Sequence, residues 1–293
     1  MQIEIADVRK HTIEKILVKQ DDLFRWGFDK KQARERPEYL YYSPNYKSTL
    51  WTLLLLADIK APVDLPQIKP SIRLITEHFY DPEHEIFRLP GNTRFPIPCL
   101  NGNMIYLHHY FETPHSEALD KTIEFFAAHQ RFDDGAFKTP KTYPYCSNIF
   151  CYGKHTCYWG VTKLLKGISF IPKIQRTKEA QTLIENCIDF VLHHEVCFSS
   201  HNRGEFLQRD IGKLTFPNFY KSDFLEILWL LAREEVHDRK MSRSLELLRS
   251  KMKDGGFWEL EKSMNTIVSI GQKDCANAFI TERATEVLDV YGH

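Results

Sequence analysis

The feature that most restricts this chain is an alternation between two kinds of segment. The first kind is short, apolar and led by small residues or cysteine: "KSTLWTLLLLADI" from Lys47, "NGNMIYLHHYFE" from Asn101, "HTCYWGVTKLLKGI" from His155, "KSDFLEILWLLARE" from Lys221 and "CANAFITERATEVLDVYG" from Cys275. The starts lie about 54, 54, 66 and 54 residues apart, a period that belongs to repeat architectures. The longer third interval holds a polar insertion, "SSHNRGEFLQRDIGKLTFPNFY". The second kind is amphipathic: "PSIRLITEHFYD", "SEALDKTIEFFAAHQ", "TKEAQTLIENCIDFVLHHE" and "SRSLELLRSKMKD". Leu119, Ile123 and Phe126 fall at helical spacing, with Asp120, Lys121 and Glu124 on other faces. Ser48 and Thr177 stand where helix N-caps belong, and Thr113-Pro114 reads as a cap with a first-turn proline. An acidic or glycine turn followed by an aromatic closes each pair: Asp81 to Phe87, Asp134-Gly135 to Phe137, Gly204 to Phe206, and Asp254 to Trp258.

A nearly all-apolar helix must be buried on most sides, and its amphipathic neighbour keeps one wet face. The pattern therefore predicts an all-α fold of helical hairpins, with inner helices wrapped by outer ones. A ring, an α/α toroid of about five to six hairpins that is closed or gapped, suits inner helices rich in Trp, Tyr and Phe. An open solenoid of stacked hairpins is the alternative. The reading is one domain over 1–293, with a helical segment at 1–40 packing on repeats that begin at about Tyr41.

The turns from Gln130 to Phe137 ("QRFDDGAF") and from Asp254 to Trp258 ("DGGFW") carry a resemblance. They resemble the repeat turns of the α/α-toroid superfamily: the protein prenyltransferase β subunits, the squalene and terpene cyclases, and bacterial-type proteins with the same repeat. The resemblance runs from about Tyr41 onward and implies fold more than function. The DxDD cluster with which class II cyclases protonate their substrate is missing; Asp133-Asp134 is a turn pair. The prenyltransferase β subunits hold a catalytic zinc with an Asp-x-Cys pair and a distant His in a stretch similar to "HTCY", here His155 to Tyr158. Only His155 matches, and Asp274-Cys275 is adjacent rather than spaced. A basic, Tyr-containing stretch before an inner helix grips the diphosphate in those enzymes. Arg203, Arg209 and Lys213 hold that position here, with His201, Lys221, Lys154 and Arg94 in support.

Parallel inner helices gather their N-terminal mouths on one face. Those mouths carry Ser48, Cys99 with Asn101, His155 with Cys157, Asp223, and Asp274 with Cys275, while Cys146 and Cys151 lie in the loop above one of them. Helix N-termini favour thiolates and anions. Thiolate, imidazole and carboxylate around an open position make a catalytic zinc site. The metal candidates are Cys99, Cys151, His155 and Cys275. Cys157, Asp223 and Tyr158 are the catalytic candidates, and Arg203, Arg209, Lys213, Trp159 and Tyr106 the substrate-binding ones. Two other readings of the thiols stay open: small buried side chains where helices converge, and a cysteine nucleophile activated by His155. His108-His109 and His193-His194 read as part-exposed helix ends.

The 39 basic and 39 acidic residues cancel, which removes any whole-molecule argument for nucleic acid. The longest apolar run, "LWTLLLLA", is too short to span a bilayer. The first twenty residues are charged throughout, unlike a signal peptide. Seven clustered cysteines do not form a secreted disulfide framework. The expectation is a cytoplasmic protein with reduced thiols. Its function is that of a metal-assisted, zinc-dependent transferase or lyase acting on an apolar or isoprenoid-like molecule. A non-catalytic toroid that binds a lipid, a peptide or a partner subunit, or that forms a homodimer, is the other reading. Paired-carboxylate glycosidase chemistry is disfavoured, because Asp133, Asp134, Asp223 and Asp254 read as turn or cap residues.

Overall fold

The computed structural model describes residues 5–27, 41–42, 46–89, 96–113, 117–136 and 138–292. Arg94, Pro114 and Phe137 lie outside the described residues. The protein is mainly helical. In chain order the helices are α1 (Ile5–Leu17), α2 (Thr49–Asp58), α3 (Ile68–Phe79), α4 (Pro98–Tyr110), α5 (Glu117–His129), α6 (Ile149–Tyr152), α7 (Tyr158–Ser169), α8 (Lys178–His193), α9 (Phe224–Arg233), α10 (Ser242–Ser250) and α11 (Ala278–Tyr291). Four two-residue strands pair as an antiparallel β1 (Tyr80–Asp81) with β2 (Ile86–Phe87), and a parallel β3 (Thr215–Phe216) with β4 (Lys262–Ser263). All nine alternating segments of the sequence lie on helices. The apolar ones are buried as their composition demands: every residue of α2 is buried, and in α9 every residue but Arg233. Among the described residues no helix is long and apolar enough to cross a membrane.

The chain divides into two compact units, residues 1–75 with 194–293, and residues 76–193. In the first unit, α1 packs on α11, and Arg9 of α1 pairs with Glu282 of α11 at 2.6 Å. The repeat is visible here as atoms. The Trp26 indole donates to the Ile16 carbonyl at 2.9 Å, and its backbone N–H donates to Thr49 Oγ1 at 3.1 Å. Trp258 does the same with the Leu248 carbonyl at 2.9 Å and Thr281 Oγ1 at 3.0 Å. In each pair a tryptophan plugs the turn and bonds back to the preceding helix, while a threonine of the following helix accepts from it. Both indoles are buried, so their N–H groups need these partners. Gly255 and Gly256 supply the positive φ that the second turn requires.

Asp223 closes the polar insertion. It is the N-cap of α9: Oδ1 accepts from the Glu226 N–H at 2.8 Å and Oδ2 from the Thr215 N–H at 2.7 Å. With both oxygens taken by backbone and the side chain buried, Asp223 acts as a structural cap. Burial raises its pKa to about 6, against the two N–H bonds that lower it.

In the second unit, α4 and α7 lie backbone to backbone. A Cβ on Gly102 would sit 2.2 Å from the Lys163 carbonyl oxygen, and one on Gly167 would sit 2.5 Å from the Gly102 oxygen. At the head of the pair, a Cβ on Gly160 would meet Pro98 at 2.8 Å. Three glycines thus remove the side chains that would hold the helices apart. α8 packs on both α7 and α5. Thr177 Oγ1 accepts from the Ala180 N–H at 3.2 Å and caps α8, as its position in the sequence suggests. His108 departs from expectation. It is buried, not part-exposed, between the Thr76 hydroxyl at 2.9 Å and the Thr113 hydroxyl at 2.7 Å. Burial lowers its pKa to about 4, so it is a neutral hydrogen-bonding group. His194, at the other pair, is buried as well.

Two outcomes follow for stability. Gly102→Ala forces a Cβ against backbone, and overpacking of this kind costs roughly 1–3 kcal/mol; urea denaturation should show that loss, whereas a change within about 0.5 kcal/mol would mean the two helices are not locked. Asp223→Ala removes a cap and strands the Thr215 N–H, at a cost of about 2 kcal/mol. Because the folded pKa of Asp223 lies above its ordinary 3.8, its contribution to stability is greatest below about pH 4 and fades as pH rises through about 6. The wild-type-minus-Ala difference in unfolding free energy should therefore shrink across that window.

Candidate functional site: thiols at the head of α7

The stretch from Cys146 to Cys157 folds as a turn, the four-residue α6, a tight bend and the start of α7. Asn148 caps α6, its side chain accepting from the Phe150 N–H at 2.7 Å and the Cys151 N–H at 3.2 Å. Gly153 makes the bend: a Cβ there would lie 2.2 Å from the Ile149 carbonyl oxygen. The segment is then fastened to the "DDG" turn. The Thr156 N–H donates to the Asp133 carbonyl at 3.1 Å, and the Asp133 N–H donates to Thr156 Oγ1 at 3.0 Å. Asp134 and His155 form an antiparallel bridge. Gly135, at φ +95°, leaves room for the imidazole of His155, which a Cβ would meet at 2.4 Å. The turn thus fixes where α7 begins, and Cys157 is its N-cap residue.

Three sulfurs come together here. The Cys151 and Cys157 thiols shift each other's proton affinity, and Cys99, in the first turn of α4, is near enough to be raised by Cys157 and to raise Cys151. The contact between Gly160 and Pro98 brings the two helix heads together. The Cys151 hydrogen bond, followed by the Gly160 and Trp159 N–H groups, holds the Cys157 thiol at about 7 against the opposing effect of burial. Cys157 does not cap α7 with a regular side-chain hydrogen bond, so the N–H contribution is that of nearby dipoles. Its partner Cys151 is pushed up, first by the same hydrogen bond and then by burial. Burial pushes Cys99 up to about 12, with Cys157 adding to it and Lys163 opposing. Of the three sulfurs Cys157 holds its proton least tightly, and both it and Cys151 are part-exposed.

Tyr152 adds a feature that the sequence did not single out. Its ring is buried and its hydroxyl has no hydrogen-bond partner. Burial raises its pKa well above 10, with Cys151 and Cys157 contributing. A buried O–H donor without an acceptor is costly, and this one belongs to the residue that follows Cys151. On the outer side of α6, Ile149 and Phe150 are 77% and 82% exposed, an apolar rim next to Cys151.

The remaining candidates are distributed as follows. His155 is 56% exposed and faces Asp134, with Nδ1 3.5 Å from the carboxylate; His193 Nε2 stands 3.7 Å from the other carboxylate oxygen. Tyr158 is buried with its ring tilted toward Phe190, and Trp159 is part-exposed against Tyr158. Tyr106 is buried edge-on to Phe170, with Lys166 Nζ 4.3 Å from its ring centre. Cys275 is exposed and belongs to the first unit, ahead of the α11 cap Asn277. Also in that unit, Arg203 and Arg209 are exposed, and Lys213 pairs with Asp210 at 2.8 Å. Lys262 reaches the same carboxylate at 2.8 Å, and the two ammonium groups hold Asp210 well below its ordinary range. Cys187 and Cys197 are buried, and burial raises both. Of the four predicted ligands, Cys99 and Cys151 are near enough to Cys157 for their proton affinities to be coupled, whereas His155 faces Asp134 and Cys275 belongs to the other unit.

Among the described residues, side chains that could hold a metal ion, with ligand atoms all within 4.8 Å of one another, form around Asp81, Glu83 and His84 and around Asp134 with His155; the three cysteines are not such a group. Asp81 is already engaged by His84 and Arg88, each at 2.7 Å.

No protein-family model matches the chain, and no curated protein matches it.

Proposed function

We propose that residues 76–193 carry the active site of a thiol-dependent transferase in which Cys157 is the nucleophile. The observation that carries this reading is the placement of Cys157 as the N-cap residue of α7, with Cys151 near enough to lower its proton affinity. A thiolate present near neutral pH attacks an electrophilic carbon. The new S–C bond forms as the carbon's bond to its leaving group breaks, and the leaving group departs with the electron pair. A second nucleophile then displaces the sulfur and restores the thiolate. Tyr152 supplies the hydrogen bond for an oxygen on the reacting group. Cys151 keeps Cys157 ionised, and is a positioning residue.

The exposed Ile149 and Phe150 support an apolar substrate chain, which is also the class that the sequence resemblance implies. The α/α-toroid arrangement belongs to this proposal too. It is supported by the strict alternation of buried and amphipathic helices, and by the contact of α1 with α11 in the first unit. The zinc implied by the same resemblance finds sulfur donors of suitable softness in Cys99, Cys151 and Cys157. Their sulfurs are not gathered within 4.8 Å of one another, so no step is assigned to an ion.

Alkylation by iodoacetamide, followed by mass spectrometry of the cysteine peptides, tests the reading. Cys157 should be modified first, with a rate that rises through a midpoint near pH 7. Cys151→Ala should move that midpoint up toward the ordinary thiol value, and Cys151→Ser, which keeps a hydrogen-bond donor, should leave it near the wild-type position. An iodoacetamide bearing a long alkyl chain should react faster than the parent, and Phe150→Ala should remove that advantage. A midpoint for Cys157 near 9 in the wild type, or equal labelling of Cys157 and Cys146, would overturn the proposal.

A further inference from the structure

We propose that Asp134, His155 and His193 form a binding site for a divalent transition-metal ion of the zinc class, separate from the sulfurs and independent of the reading of Cys157. The three residues come from three places in the second unit: the "DDG" turn, the approach to α7, and the last turn of α8. Two imidazoles flank one carboxylate. His155 Nδ1 stands 3.5 Å from Asp134 Oδ1, and His193 Nε2 stands 3.7 Å from Asp134 Oδ2. A charge-assisted hydrogen bond between such groups is shorter, at roughly 2.7–2.9 Å, and the pair of His84 with Asp81 shows that length at 2.7 Å. Two ligands of one zinc, with bonds of about 2.0–2.2 Å, stand roughly 3.3–3.5 Å apart at a tetrahedral angle. The spacing around Asp134 is therefore closer to that of donors sharing an ion than to that of an ion pair.

The fold holds these donors in place. Asp134 and His155 are joined by an antiparallel bridge, which fixes both backbones. The His155 ring lies over Gly135, where a Cβ would meet its Cε1 at 2.4 Å and its Nδ1 at 2.9 Å, so any larger residue in the turn would displace the imidazole. His193 ends α8, and the carbonyl end of a helix favours a cation. Both imidazoles are more than half exposed, so an ion reaches them from solvent. Arg131 pairs with Asp133 instead, at 2.6 Å. The group around Asp81 differs on this point: Arg88 holds that carboxylate at 2.7 Å, and its charge opposes a cation. Two imidazoles and a carboxylate suit zinc, copper or nickel, whereas magnesium and calcium take oxygen ligands. Three protein ligands leave a fourth position to water. The bound ion ties the end of α8 to the turn that fixes the head of α7.

The test adds zinc to the full chain with its 13 histidine rings labelled with 15N and follows the ring nitrogens by NMR. One equivalent should shift the nitrogens of two histidines, assigned to His155 and His193 by their loss in His155→Ala and His193→Ala. Calorimetric titration should show one site, which each of these variants and Asp134→Asn weakens by more than roughly tenfold, the low end of what loss of even an outer-shell partner costs. The thermal unfolding midpoint should rise with zinc in the wild type, as binding to the folded chain requires. It should rise equally in a variant carrying Cys151→Ser and Cys157→Ser, and should not rise in His193→Ala, which removes an exposed side chain and leaves the core intact. Binding that survives His193→Ala undiminished overturns the site. Binding lost in the double-serine variant assigns the ion to the sulfurs and overturns it as well. An affinity that none of these substitutions changes is adventitious surface binding and does the same.

Discussion

The close approach of α4 and α7 is the constraint on which the second unit depends. Two helices with ordinary side chains at their contact stand roughly 8–10 Å apart. Here Gly102 meets the Lys163 carbonyl, and Gly167 meets the Gly102 carbonyl. Backbones this close fix the register of the pair, and register decides what meets at the ends. At the head, Gly160 seats against Pro98, so the residues that flank those positions, Cys157 and Cys99, become neighbours. The thiol cluster is a consequence of three missing side chains.

A second fastening sets the direction of Cys157. The "DDG" turn bonds to Thr156 and pairs with His155. That leaves His155 over Gly135 and toward Asp134, while Cys157, two residues on, turns to Cys151. The site therefore separates into an imidazole–carboxylate side and a sulfur side. The electrostatics follow the same division. Proton affinity is shared unequally between two contacting thiols, and the dipoles of the first turn of α7 favour placing the charge on Cys157.

Much of the helical order was legible because it rests on composition alone. Apolar stretches such as "LWTLLLLA" have no polar face to give to water, and α2 is buried on all sides. Amphipathic stretches such as Glu117–His129 fold with Leu119, Ile123 and Phe126 buried. The position of Trp258 after "DGG" hinted at a plug, and its twin at Trp26 shows that the N-terminal segment carries the same device. The site was half legible. The stretch from Cys146 was separable into a loop and a helix head, and Cys99 was named as a partner. What spacing cannot give is the turn of the chain at Gly153, where the backbone passes so close to the Ile149 carbonyl that a Cβ would clash, and the pairing of His155 with the "DDG" turn. Asp223 was legible as a helix-mouth residue, but its two oxygens belong to backbone N–H groups, a fact of the β3 loop that no local pattern encodes. Tyr152 carried no sequence signal, because a tyrosine in a polar loop is unremarkable until its hydroxyl is found buried without an acceptor.

The central claim is that contact with Cys151 and the first turn of α7 make one of seven cysteines a thiolate near neutral pH. Labelling the chain with cysteine enriched in 13C at Cβ and following the seven resonances by NMR from pH 5 to 9 measures this directly. The account predicts one resonance, assigned to Cys157 by its loss in Cys157→Ser, that titrates with a midpoint near 7, while Cys99 and Cys151 stay protonated across the range. A Cys157 resonance that does not move until pH 9, or a titration near 7 that belongs to another cysteine, would contradict it.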